Sequence, residues 1–456
     1  MSKRQCKDKA NIWKSKAILR GEENLYLRKR LKELEASRDA WKEKYKLAKK
    51  SSASVVLGDG AKAFGHQYSL TLVSLLMSMY AYGSMSLRSC QHCVGCLFVS
   101  LGLCLKVPSH NSIRNWLCKC GYYRFSQSQG ASGSYVIYAD ESIVFGSEKI
   151  LLILGVLEKN IPQDRSLTHS DMEVLYVGSS QEWKGEDIAV ELSKIRENKE
   201  IKYVVSDRGC NLLAAYKLLN ITHIEDCTHI LANYLKGLYE GKEEFEGFCK
   251  LVGKLRKDWN LSKENSKYMP PSMRGKMRFA NIFPCINWAK NMLEKWQELS
   301  PNVQQTAAFL VEKRDFILEL IENEKAFKSL CQTLKNNGFG QLQKQEVLAQ
   351  FKLINPQNYL LTATFIAKCT QYLNLLNEKA SNIQQPFLLC SSDIIESYFG
   401  KFKVKINPKN PHKLTEFIFT IANFSQNFSP QEIKNALEYS KIKEIFRNQK
   451  HKKNQT

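Results

Sequence analysis

With 456 residues, 43% of them hydrophobic and 25% charged, the chain can hold about three domains with cores of their own and has ordinary globular composition. Its 67 Lys+Arg against 45 Asp+Glu leave a net charge of +22, which favours a polyanionic partner, nucleic acid before membrane. Fourteen irregularly spaced cysteines do not make a secreted disulfide framework, no apolar leader opens the chain, and the most apolar run, Tyr68–Tyr82, is shorter than the roughly 20 residues of a membrane span; a reducing intracellular location on DNA is expected, cytoplasm and nucleoid or nucleus according to host.

Residues 1–50 carry seventeen basic and seven acidic residues and no proline, and read as a basic helical arm. Leu27, Leu31, Leu34, Arg38, Trp41 and Tyr45 follow the alternating four-three spacing of a coiled-coil seam, so the arm either contacts DNA phosphates or pairs protomers. After a Ser/Gly linker over 51–60, three helices are expected within 61–126. The first covers Tyr68–Tyr82 and stops at Gly83; the second runs from Ser86 to Leu101; the third opens with Ser109 as N-cap. A short turn before the third helix, with Ser112, Arg114 and Asn115 on its exposed side, predicts a helix-turn-helix DNA-binding region. Cys90, His92, Cys93 and Cys96 fall inside the second helix with no second ligand pair at finger spacing, and are read as free cysteines before a zinc site.

A Gly/Ser/Gln linker over Gln127–Ser134 leads into β-branched and aromatic runs. Strands are expected at Tyr135–Asp140, Ile150–Val156 and Glu173–Val177, then a helix over Trp183–Asn198, a strand over Lys202–Ser206, a helix over Leu212–Leu219 and a strand over Thr222–Glu225. The order β-β-β-α-β-α-β is that of an RNase H-like α/β core with a mixed sheet, its first part at 134–235. Residues 236–386 are helical in pattern and read as an all-α insertion. The core resumes over 387–430, with a helix from Asp393 through Phe402 and a lysine stretch at Lys401, Lys403, Lys405, Lys409 and Lys413. A basic tail, 431–456, ends the chain.

In that strand order the first and fourth strands are neighbours, so Asp140 and Asp207 at their carboxyl ends would face each other at one sheet edge. Adjacent carboxylates repel unless cations lie between them, and oxygen ligands select Mg²⁺ or Mn²⁺. Two such ions suit in-line phosphoryl displacement, and Glu396 supplies the third carboxylate. Glu141 is set aside because strand alternation turns it to the opposite face. Asp393 and Glu396 also fit a capping box, a structural alternative for the pair.

The contexts Tyr-Ala-Asp140-Glu, Val-Ser-Asp207-Arg-Gly and Ile-Ile-Glu396-Ser-Tyr-Phe-Gly-Lys-Phe, with a helical insertion before the glutamate, resemble DDE transposases. Asp226-Cys-Thr-His229 is similar to the C/D-x-x-H signature of Mutator-like, hAT-like and related bacterial insertion-sequence transposases. The resemblance implies that Asp140, Asp207 and Glu396 are catalytic metal ligands, and that Asp226 and His229, with Arg208 beside Asp207, lie near the site. It further implies binding to terminal inverted repeats and target DNA, cleavage, joining of 3′-hydroxyl ends, action as a homo-oligomer in a synaptic complex, and no nucleotide cofactor. Lys401, Lys403 and Lys405 are expected on DNA phosphates. A catalytically dead, domesticated DNA-binding protein and a structure-selective nuclease on the same core are the rival readings.

Overall fold

The computed structural model describes residues 3–49, 57–58, 60–83, 85–145, 148–163, 165–260, 262, 265–273, 282–354, 359–406, 417–425, 427–443 and 445. Lys409 and Lys413, most of the 51–60 linker and the tail beyond residue 445 lie outside them. The chain divides into two compact units, Met1–Cys120 with Asn427–Ile445, and Gly121–Gln426. Among the described residues no helix is long and apolar enough to cross a membrane.

In the first unit, α1 (Lys3–Lys49) is one unbroken helix, and every described side chain from Trp13 to Tyr45 is exposed. Helices α2 (Leu70–Ala81) and α3 (Leu87–Ser100) begin on serine caps: Ser69 Oγ accepts from Leu72 N–H at 3.2 Å and Ser86 Oγ from Ser89 N–H at 3.1 Å. Ser109 caps α4 (His110–Gly130) in the same way, accepting from Ser112 N–H at 3.1 Å. Leu76, Met77, Cys90, Val94, Ile113 and Leu117 build the core between them. Two expectations are corrected here. The connection Leu101–Ser109 is longer than the three- or four-residue turn of a helix-turn-helix. And part of the expected tail is a helix, α16 (Pro430–Tyr439), with Ser429 as N-cap and Pro430 in its first turn. It packs on α2, and Lys119 Nζ donates to Leu437 O at 2.8 Å. Cys90 is buried, whereas Cys93 and Cys96 are exposed, with His92 Nε2 3.7 Å from Cys96 Sγ.

The second unit holds one five-stranded mixed sheet of order β3-β2-β1-β4-β5, in a chain otherwise mostly helical. The strands are β1 (Gly133–Phe145), β2 (Glu148–Leu157), β3 (Glu173–Ser180), β4 (Lys199–Ser206) and β5 (His223–Glu225). β1 pairs antiparallel with β2 and β2 with β3, while β1–β4 and β4–β5 are parallel. β2 reads as an uninterrupted apolar run because it is covered on both faces. On one face α5 (Gly185–Arg196) and α6 (Cys210–Leu218) bury Ile188, Leu192, Leu212 and Tyr216 against Ile137, Ala139, Ile153 and Val204. Strand alternation therefore sends Asp140 to the other face.

The linker expected at Gln127–Ser134 is mostly helix, since α4 runs to Gly130. Its polar residues are docked and not solvated: Ser128 Oγ donates to Val174 O at 2.7 Å and Gln129 Nε2 to Leu175 O at 2.7 Å, binding the helix end to β3. Between β5 and residue 386 lie α7 (Cys227–Tyr239), α8 (Glu243–Asn260), α9 (Ile282–Glu294), α10 (Pro301–Thr306), α11 (Phe309–Glu312), α12 (Arg314–Asn337), α13 (Gln341–Leu353) and α14 (Leu360–Asn382), with no strand among the described residues. α14 covers the short edge strand: Tyr372 O–H donates to Glu225 O at 2.8 Å and Lys379 Nζ to His223 O at 2.7 Å. The chain then returns to the sheet through Leu389, whose N–H donates to Tyr203 Oη at 2.9 Å, and enters α15 (Asp393–Lys405).

Ile153 is fully buried between the sheet and α5/α6. Ile153→Ala should destabilise the second unit by about 2–5 kcal/mol, read as a lower urea midpoint at unchanged m-value.

Candidate active site

Asp140 does not close its strand; β1 continues to Phe145 through its pairing with β2. What stops near Asp140 is the parallel pairing with β4, whose last rung is Tyr138↔Val205. Asp140 stands two residues beyond that rung on β1, and Asp207 two residues beyond it at the turn that follows the last residue of β4. Tyr203, of the same parity as Asp207, reaches Leu389 just before α15, so both aspartates belong to the α15 face. Glu141 stands on the opposite face, hydrogen-bonded to Asn211 of α6 and 3.9 Å from Lys149. Asp207 turns the chain into α6 by accepting from Gly209 N–H at 2.9 Å. Behind it Ser206 Oγ donates to Asp207 O, and His223 Nε2 lies 3.0 Å from Ser206 Oγ.

Asp226 explains how a residue 167 positions away, Glu396, meets His229. Its carboxylate is 1% exposed. One oxygen caps α7, accepting from His229 N–H at 2.8 Å. The other accepts from Ser392 N–H at 2.6 Å and Ser392 O–H at 3.0 Å, at the start of α15. A further bond, Cys227 N–H to Cys390 O at 2.8 Å, closes the junction. Asp226 thus positions two helix starts. The side chains projecting from those first turns, His229 and Glu396, stand with Nε2 and Oε1 3.0 Å apart.

The capping-box alternative for Asp393 and Glu396 is not formed: Ser392 is the N-cap, and Asp393 instead pairs with Lys335 of α12 at 2.6 Å. Arg208 is exposed, its Nε 3.4 Å from Glu225.

Electrostatics place the four predicted groups in one neighbourhood. Burial first, then the negative charge of Asp207, pushes the Asp140 carboxyl up to about 7; Glu396 adds to the rise and His229 opposes it. The hydrogen bond to Glu396 raises His229 to about 9, so it is an imidazolium at neutral pH, and the same bond holds Glu396 below its ordinary value. Among the described residues, no three His, Cys, Asp or Glu side chains are arranged to hold a metal ion, and Glu396 is turned to His229.

Residues that sequence reasoning passed over frame this cluster. His169, between β2 and β3, stacks on Tyr398 at 4.6 Å between ring centroids, and its Nε2 lies 3.3 Å from Ser397 Oγ. Burial, then Lys401, lowers it to about 4, so it is neutral. Lys335 comes from the insertion, where no spacing signal connects it to residue 393. Of the three lysines expected on DNA, Lys403 is exposed and Lys401 half-buried over Phe424. Lys405 is 6% exposed and does not offer a surface contact, a correction that follows from α15 burying Phe402 and Ile406 beside it. Ser112, Arg114 and Asn115 are half-buried on α4.

A scan against protein-family models matches none, and a search of curated proteins finds no significant relative.

Two outcomes are expected. Asp226→Ala unpins both helix starts and should cost about 2–4 kcal/mol, seen in chemical denaturation, while Glu396→Gln leaves the Asp226 bonds in place and should remove only the pH-dependent stabilisation carried by His229. In NMR titration His229 should titrate near 9 and fall back towards its ordinary 6.5 in Glu396→Gln. Because the folded pKa lies above the unfolded one, the stabilisation is complete below about 6.5 and is lost as pH rises through about 9.

Proposed function

We propose that the chain is a DDE-type DNA transposase built on an RNase H-like core. The observation that carries this reading is that Asp207 and Glu396, from separate parts of the chain, both bear with their negative charge on buried Asp140 beside the central parallel strand pair. The sheet order β3-β2-β1-β4-β5, the helical segment between β5 and α15, and the basic balance of the chain support it.

The donor set fits hard divalent cations. Burial, and then the negative charge of Asp207, hold Asp140 near 7; a cation would relieve the second of these, and the donor atoms of all three carboxylates are oxygen. Asp140, Asp207 and Glu396 would hold two Mg²⁺ or Mn²⁺ ions, which when bound supply a polarised nucleophilic oxygen and charge stabilisation of the leaving oxygen.

The chain's own residues do the remainder. Asp226 fixes the orientation of His229 and Glu396. Lys403 and Lys401 on α15 offer positive charge to the phosphates flanking the scissile bond, and His229 offers a ring N–H beside them. The N-terminal helices, with Arg114 and Asn115 on α4, are the candidates for reading terminal repeats, and the basic arm would add salt-dependent phosphate contacts.

Strand transfer with pre-cleaved element ends in Mg²⁺ or Mn²⁺ tests this. Wild type should join the 3′-hydroxyl to target DNA. Asp140→Asn, Asp207→Ala and Glu396→Gln should each lose at least about a thousandfold in rate while retaining end binding. Binding without joining by wild type would favour the domesticated binder, and joining that survives Asp207→Ala would place the chemistry elsewhere.

A further inference from the structure

We infer that α1 forms a parallel, in-register, two-stranded coiled coil with α1 of a second copy of this chain. The inference is independent of the catalytic reading.

The helix is 47 residues long and exposes large apolar side chains that its own chain leaves uncovered: Leu27, Leu31, Leu34, Trp41 and Tyr45 are each more than half exposed. They lie in one heptad frame, with Leu27, Leu34 and Trp41 at d and Leu31, Arg38 and Tyr45 at a. Extending the frame backwards by one heptad places Asn24 at a. A single buried asparagine at that position is the device that fixes register and favours two strands, because each amide meets its symmetry mate across the seam. Arg38, the other polar a residue, already turns outward to Asp39, with Nε 3.0 Å from Oδ1.

Charges beside the seam choose the partner. In a parallel pair each g position faces the e position of the following heptad on the other helix. Glu23 at g then meets Arg28 at e, and Arg30 at g meets Glu35 at e, both attractive and both occurring twice by symmetry. Between Glu23 and Tyr45 there are seven basic and five acidic residues, so this part of the arm is nearly balanced. The excess positive charge lies before Glu23 and after Tyr45, where it does not oppose pairing through the seam and stays available to phosphates. A second copy of the helix therefore matches both the apolar stripe and its flanking charges.

The test uses the full chain and light scattering coupled to size exclusion. Wild type should run at twice the monomer mass at micromolar concentration, and Leu31→Asp with Leu34→Asp should run as a monomer with unchanged helical circular dichroism elsewhere in the chain. Arg30→Glu alone and Glu35→Arg alone each place like charges across both symmetry-related contacts and should weaken self-association at least about tenfold. Mixed, the two variants should pair with each other. The introduced carboxylate at position 30 of one chain then meets the introduced guanidinium at position 35 of the other, and the native Arg30 to Glu35 contact survives at the symmetry-related site. Wild type that stays monomeric at every concentration, or variants that fail to pair when mixed, would overturn the proposal.

Discussion

The buried carboxylate of Asp226 is the constraint on which the site depends. A charge this deep is tolerated only when hydrogen bonds replace water, and Asp226 receives three, two from backbone N–H groups and one from a hydroxyl. Both N–H groups belong to helix starts, so the partial positive ends of α7 and α15 converge on one anion. The consequence is geometric. Two helices separated by the whole insertion begin from a shared point, and the residues in their first turns are brought into an ion pair at 3.0 Å.

A second constraint is the alternation of the sheet. Odd residues of β1 pack on α5 and α6, so Asp140 falls on the face that α15 approaches, and the parallel register with β4 brings Asp207 level with it. Burial and mutual repulsion then hold Asp140 near 7 in a chain whose net charge is +22. Positive charge is abundant elsewhere; at the cluster His229 bears on Asp140, and Lys335 and Lys403 on Glu396. That imbalance, a concentrated acidic spot within a basic protein, is what a cation-dependent site on a polyanionic substrate requires.

The sheet was legible in the sequence because its strands are apolar runs bounded by turns or by helices with clear periodicity; each expected strand exists, the first four longer than expected and β5 starting one residue later. The proximity of Asp140 and Asp207 follows from strand order alone. Glu396 was not reachable from strand order, since no local pattern tells where a chain re-enters its core after a long insertion. The end of α4 was missed because Ser128 and Gln129 look like linker residues, yet their side chains bond the backbone of β3. Lys405 reads as a surface base in a lysine-rich stretch, but the apolar residues around it on α15 carry it inward. Lys335 and His169 reach the site helix from elements distant in sequence, which only the packed structure reveals.

The proposed role of Asp140, Asp207 and Glu396 is to form a divalent-cation centre. Anomalous diffraction from crystals grown with Mn²⁺ tests it most directly. Manganese density is expected at Asp140 and Asp207, with Glu396 released from His229 to join them, and none in Asp207→Ala crystals. Full manganese occupancy elsewhere on the protein, with these three carboxylates left unliganded, would contradict it.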